Sequence, residues 1–140
     1  MFSKCSHDDL LVGSARRSCG AAWCRLVGSM LYRLGMTEAE VITEIGERLA
    51  AAVPVGSQVV LFGSRARGEG GAGSDYDLLV IEPSVENAAV ESTRLRDELD
   101  DLRTPIDVVV VAEDVARRRA VVRGTVVDRA LREGRVLVAA

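Results

Sequence analysis

The 140-residue chain is poor in aromatic residues and contains a single histidine. Phe, Trp and Tyr make up only 4% of it, and its odd number of cysteines, three, argues against a closed disulfide framework. No apolar run approaches the roughly 20 residues that a membrane-spanning helix needs. The small negative net charge, −3, argues against direct nucleic-acid binding. Composition therefore favours a small cytoplasmic protein without a membrane or nucleic-acid partner.

The N-terminal segment differs in composition from the rest of the chain. It holds all three cysteines and the only His, Trp and Lys, with five basic against two acidic residues. The spacing of Cys5, His7, Cys19 and Cys24 fits no zinc-binding pattern. Two arginines interrupt its apolar stretch, which argues against a secretory signal.

We expect residues 1–35 to be a poorly ordered or non-native extension, and residues 36–140 to form one folded domain. Alternatively, this basic extension lies on a membrane or a partner protein. The boundary falls at Met36 because the sequence Thr37-Glu38-Ala39-Glu40 has the pattern of a capping box that begins a helix.

Periodicity and turn residues predict a mixture of strands and helices in the domain. The expected strands are rich in valine and lie at Gln58–Phe62, Tyr76–Ile81, Ile106–Val111 and Arg135–Val138. The expected helices run from Thr37 to before Pro54, from a cap at Ser84 to before Pro105, and over Glu113–Val122 and Val126–Glu133. This mixture predicts an α/β or α+β architecture.

Three aspartates mark the candidate site. Because side chains alternate along a strand, Asp75 and Asp77 should point the same way, while Leu78 and Val80 point into the core. Asp107 lies near the start of a later strand. If that strand runs beside the first, roughly 4.8 Å away, the three carboxylates converge on one small volume.

Three adjacent carboxylates repel each other, and a divalent cation removes that cost. Magnesium prefers oxygen ligands, and two such ions can clamp both the attacking and the leaving oxygen of a displacement at phosphorus. The simpler alternative makes Asp75 a turn residue that bonds its own backbone and leaves Asp77 facing solvent.

A turn at Gly63-Ser64 precedes the aspartates by ten residues. Gly63 lets the backbone turn sharply and approach a phosphate, and Ser64 can cap a short helical turn. Arg65 and Arg67 follow as candidate phosphate contacts, because a guanidinium binds phosphate in a bidentate fork.

Together, Gly63-Ser64, the ten-residue spacing, Asp75-Tyr76-Asp77 and Asp107 resemble the minimal nucleotidyltransferase (MNT) family of the polymerase-β-like superfamily. The similarity covers about residues 36–140 and includes the C-terminal tail. It implies a small mixed β-sheet flanked by helices, and transfer of AMP from ATP to an acceptor hydroxyl.

The resemblance also implies roles for single residues. Asp75, Asp77 and Asp107 would bind magnesium, two ions in all, and Asp107 would help to activate the acceptor.

Gly63, Ser64, Arg65 and Ser74 would hold the triphosphate. The loop Gly68–Gly73 departs from the family, which often has a Pro-Asp pair there; its four glycines predict mobility and poorer positioning.

Short members of the family are commonly paired with a HEPN-domain toxin, a helical RNase, and act as its antitoxin by adding AMP to a toxin tyrosine. The chain lacks the Arg and His signature of the toxin, since its only histidine is His7. The resemblance therefore implies an antitoxin with a HEPN toxin as partner. Two alternatives stay open: nucleotidyl transfer to a small-molecule hydroxyl with a partner subunit, and a non-catalytic binding antitoxin.

Overall fold

The computed structural model describes residues 35–71 and 73–139. The predicted extension, residues 1–35, lies outside this part of the chain except for Gly35, so its character stays a prediction. Within the described residues, no helix has the length and apolarity needed to cross a membrane.

The described residues form a four-stranded mixed sheet flanked by four helices, so the predicted fold class is confirmed. The strands are β1 (Gln58–Phe62), β2 (Tyr76–Glu82), β3 (Ile106–Ala112) and β4 (Arg135–Ala139). The helices are α1 (Glu38–Ala52), α2 (Ala88–Asp97), α3 (Glu113–Ala120) and α4 (Val126–Glu133). All four predicted strands are confirmed to within one residue.

The strand order is β3-β2-β1-β4. β1 runs antiparallel to both β2 and β4, whereas β2 and β3 are parallel. The parallel pair is possible because the chain between β2 and β3 contains α2, which supplies the crossover that parallel neighbours require. The ends of β2 and β3 that come first in the chain therefore lie side by side.

Both faces of the sheet are buried. Val60, Phe62, Leu79 and Ile81 form one apolar cluster with residues of α3 and α4, namely Ala116, Val127 and Ala130. The opposite face buries Leu78 and Val80, as predicted, together with Val59, Leu61 and Val108. Strands buried on both faces read as continuous hydrophobic runs, which explains why β2 shows little alternation.

The helix starts show where local sequence decides the structure. The predicted capping box of α1 is present: Thr37 Oγ1 accepts from the Glu40 N–H at 3.3 Å, and the Glu40 carboxylate accepts from the Thr37 N–H at 2.6 Å. The predicted cap of α2 at Ser84 is wrong. Asn87 is the cap, because its Oδ1 accepts from two of the first free N–H groups, at 3.1 and 3.2 Å.

Gly134 is packed tightly against α4 and β1. A Cβ at this position would lie 2.1 Å from the Ala130 carbonyl oxygen and 2.3 Å from Val60 Cγ1.

We expect Gly134→Ala to lower the free energy of unfolding by about 1–3 kcal/mol, the usual cost of overpacking. Urea denaturation measures it, with Gly73→Ala as control, because the space around Gly73 is open. Equal effects of the two changes would contradict this packing.

A buried carboxyl at the end of β2 makes stability depend on pH. Glu82 is 3% exposed, and burial, followed by the charge of Glu91, raises the pKa of its carboxyl, while Arg94 opposes the change. Its stability contribution is therefore full below the unfolded pKa, about 4.3, and is lost as pH rises through the higher folded pKa.

We therefore expect Glu82→Gln to raise the free energy of unfolding, relative to wild type, more at pH 7 than at pH 4. Chemical denaturation at the two pH values checks this, and Glu86→Gln on the exposed β2–α2 connection is the control. A difference between Glu82→Gln and wild type that does not vary with pH would show that the Glu82 carboxyl is not perturbed.

Candidate active site

The parallel pairing of β2 and β3 places Asp77 directly beside Asp107. Residues paired in register on neighbouring strands project from the same face, so the two carboxylates share one side of the sheet. Asp75 lies just before β2. Burial raises the pKa of the Asp77 carboxyl, and the charges of Asp107 and then Asp75 raise it further. The charges of Asp107 and Asp75 therefore act on the Asp77 carboxyl at one end of the sheet.

Asp107 is held by an arginine. Its side chain is 58% exposed, and Arg96 Nη2 donates a hydrogen bond to Asp107 Oδ1 over 3.0 Å. Within residues 35–71 and 73–139, no three acidic, histidine or cysteine side chains converge closely enough to hold a metal ion. Arg96 therefore competes with a metal ion for the Asp107 carboxylate. An exposed ion pair is worth only about 0–1 kcal/mol, so this exchange costs little.

Gly63 lies against the Asp77 carboxylate. Its φ is +76°, and a Cβ there would lie 2.4 Å from Asp77 Oδ2. The turn therefore needs glycine both for its backbone conformation and for its space. The Arg67 N–H donates to the Gly63 carbonyl at 3.3 Å, which closes the single helical turn expected after Ser64. The turn brings backbone beside the carboxylates, as triphosphate binding would require.

The other predicted nucleotide-binding residues contact the loop itself. The Arg65 guanidinium donates to the Ser74 carbonyl oxygen, and Ser74 Oγ accepts from the Gly71 N–H at 3.0 Å. Arg67 pairs with Glu69 at 3.0 Å and with Glu133 of α4 at 2.7 Å. Nucleotide contacts by Arg65 and Ser74 therefore stay predictions, and in this structure both side chains hold the loop.

Arg129 is a neighbour of the site that sequence reasoning missed. Its charge lowers the pKa of the Asp77 carboxyl and partly offsets burial. Val127 and Ala130 place α4 on the sheet face that also carries Asp77. Nothing in the local sequence brings position 129 near position 77. Only the packing of α4 across the sheet does so.

A mixed sheet with aspartates and a glycine turn at one end defines an α/β domain. The family model of the nucleotidyltransferase domain matches residues 42–136, and the chain belongs to that family. The predicted resemblance and the predicted enzyme class, a nucleotidyltransferase, are thereby confirmed.

One solved structure agrees with the fold, and two others show a weaker similarity to the chain. A crystal structure of a toxin–antitoxin with AMP-PNP is 19% identical over 75% of each chain, with a TM-score of 0.52. A mutant of the toxin–antitoxin MntA–HpeT is 17% identical over 75% of each chain, with a TM-score of 0.49. A candidate nucleotidyltransferase from Sulfolobus solfataricus is 26% identical over 65% of this chain and 79% of that one, with a TM-score of 0.44. None of the curated proteins compared with the chain matches it.

The contact between Gly63 and Asp77 can be tested with two matched alanines. Gly63 and Gly68 have similar positive φ values, +76° and +71°, but a Cβ at Gly68 meets open space. Both alanines should cost about 1–2 kcal/mol of stability from backbone strain. Only Gly63→Ala should also slow nucleotidyl transfer, by about 100-fold, because it displaces a carboxylate of the site. Pyrophosphate release from a nucleoside triphosphate measures the rate, and equal slowing by both alanines would refute the contact's role.

Proposed function

We propose that the chain is a magnesium-dependent nucleotidyltransferase that moves AMP from ATP to a hydroxyl group, a tyrosine, of a HEPN-domain toxin, and so acts as its antitoxin. The observation that carries this proposal is the registered pair Asp77 and Asp107 beside the Gly63 turn. Membership of the nucleotidyltransferase domain family supports the chemistry. The toxin partner is supported by the neighbour of similar fold, which is a toxin–antitoxin with AMP-PNP.

The carboxylates fit a divalent cation. Asp77 is costly to ionise next to Asp107 and Asp75, and a cation between them would relieve that repulsion. We assign Asp75, Asp77 and Asp107 as the residues that would hold magnesium. When bound, it would act as a Lewis acid toward the phosphoryl oxygens, neutralising their charge and making the phosphorus more electrophilic.

The remaining work of the reaction falls to this chain's own residues. The acceptor oxygen forms a bond to the α-phosphorus, the bond from that phosphorus to the bridging oxygen breaks, and pyrophosphate leaves. Asp107 takes the hydroxyl proton, once it has left Arg96, because its carboxylate is exposed on the strand at one end of the sheet. Gly63 and Ser64 bring the backbone to the triphosphate.

The openness of the site favours a macromolecular acceptor. Asp75 and Asp107 are both exposed, so a side chain of another protein can reach them. A groove of about 450 Å³ in the described part of the chain lies elsewhere, between α1 and β4, and is lined by residues such as Ile42, Gly46 and Leu137. None of the three carboxylates lines this groove, so it offers no small-molecule pocket beside them.

The test is to incubate the chain with Mg²⁺, ATP labelled at the α-phosphate and the protein encoded beside it. Wild type should label that protein on tyrosine. Asp77→Asn should reduce labelling by about 100-fold or more, since even substitutions behind a metal ligand cost 10–100-fold. Asp114→Asn is the matched control, because Asp114 is exposed and pairs with Arg118 one turn later on α3.

Other results would point to the alternatives. Label on a low-molecular-weight alcohol, with none on protein, would identify a small-molecule transferase. Neutralisation of the partner that survives Asp77→Asn, with no label despite a tight complex, would identify a non-catalytic binding antitoxin. Either result would overturn the proposed protein adenylylation.

A further inference from the structure

Arg65 is the most enclosed basic side chain of the glycine turn. Its side chain is 9% exposed, compared with 42% for Arg67 two residues later. A Cβ at Gly70 would lie only 2.5 Å from Arg65 Cδ, so the loop folds back closely over it. Arg65 is therefore enclosed by its own loop, whereas a side chain that binds a ligand from solution is expected to be exposed.

All three guanidinium nitrogens of Arg65 have protein partners. Nε and Nη2 donate to the Ser74 carbonyl oxygen at 3.3 and 3.1 Å, and Nη1 lies 3.4 Å from Glu38 Oε1 on α1. Arg65 Cζ lies over the Tyr76 ring, 4.6 Å from its centroid. The group that sequence reasoning assigned to a phosphate is therefore directed to the protein.

Arg65 thus contacts the residues on both sides of Asp75 in the chain. Ser74 precedes it and Tyr76 follows it, and the Tyr76 N–H is itself anchored to the Pro105 carbonyl oxygen at 2.9 Å. Arg65 thus joins the start of the glycine-rich loop to its end. The glycine-rich loop therefore lies between two residues, Arg65 and Ser74, that are bonded to each other.

We propose that Arg65 is a positioning residue that fixes Asp75 in place for the metal site, and is not a ligand of the triphosphate. This inference rests on the proposed function, because it assumes that Asp75 binds a metal. The four glycines of the Gly68–Gly73 loop predicted poor positioning of the site, whereas the Arg65 contacts hold the residues on both sides of Asp75. The rigid fork of Arg65, which bonds one carbonyl through two nitrogens and directs the third to Glu38, is a feature of arginine that lysine cannot reproduce.

The test compares Arg65→Lys, Arg65→Ala and the control Arg67→Lys in the full chain. Mn²⁺ binding without nucleotide is followed by electron paramagnetic resonance, and the affinity for a non-hydrolysable ATP analogue is measured separately. Both Arg65 variants should bind Mn²⁺ about tenfold more weakly, a typical effect of losing a group behind a metal ligand. Arg67→Lys should bind Mn²⁺ like wild type.

A phosphate-binding Arg65 would give the opposite result. Mn²⁺ affinity would be unchanged, nucleotide affinity would fall, and Arg65→Lys would retain more of it than Arg65→Ala. That outcome overturns the positioning role alone. A wild-type protein that binds no Mn²⁺ would instead overturn the metal site and the proposed function with it.

Gly70→Ala keeps the test decisive if Arg65→Ala fails to fold. The added methyl group presses on Arg65 Cδ without removing any charge. It should weaken Mn²⁺ binding in the same direction, with the arginine still present, and Gly71→Ala, which meets open space, should not. Equal Mn²⁺ affinities of the two glycine variants would contradict the proposal.

Discussion

Two like charges held side by side on adjacent strands are the constraint on which the rest of the site depends. The parallel register puts Asp77 next to Asp107, and burial makes the ionised form of Asp77 more costly still. A folded protein tolerates such a pair of carboxylates where a cation or a basic side chain neutralises their charge. In this chain Arg96 binds Asp107, and the charge of Arg129 acts on Asp77.

The surrounding elements hold this arrangement in shape. Gly63 has no side chain, and so the turn after β1 can touch the Asp77 carboxylate. The apolar residues of α4 pack on the sheet face that carries Asp77. The contacts of Arg65 close the loop. Each of these supports comes from a different element, so the site does not depend on the glycine-rich loop alone.

Strands and most helix limits could be predicted because they depend on local signals: valine-rich runs, a capping box at Thr37 and Pro54 after α1. The predicted end of α2 before Pro105 is wrong, since this helix ends at Asp97. The cap of α2 could not be predicted, since Ser84 and Asn87 are both good capping residues and only the path from β2 selects between them. The partners of Arg65 and Asp107 were also out of reach. Arginines near phosphate motifs look alike in sequence, and tertiary packing decides whether each one faces a ligand, a carbonyl or a carboxylate.

The most direct test of the central claim is a crystal structure of the chain with Mn²⁺ and a non-hydrolysable ATP analogue, with the metal located by anomalous scattering. We expect Mn²⁺ bound by Asp75 and Asp77, with Asp107 released from Arg96 and turned to the metal, and the triphosphate against the Gly63 turn. Nucleotide bound elsewhere, or metal absent from these carboxylates with Asp107 still on Arg96, would contradict it.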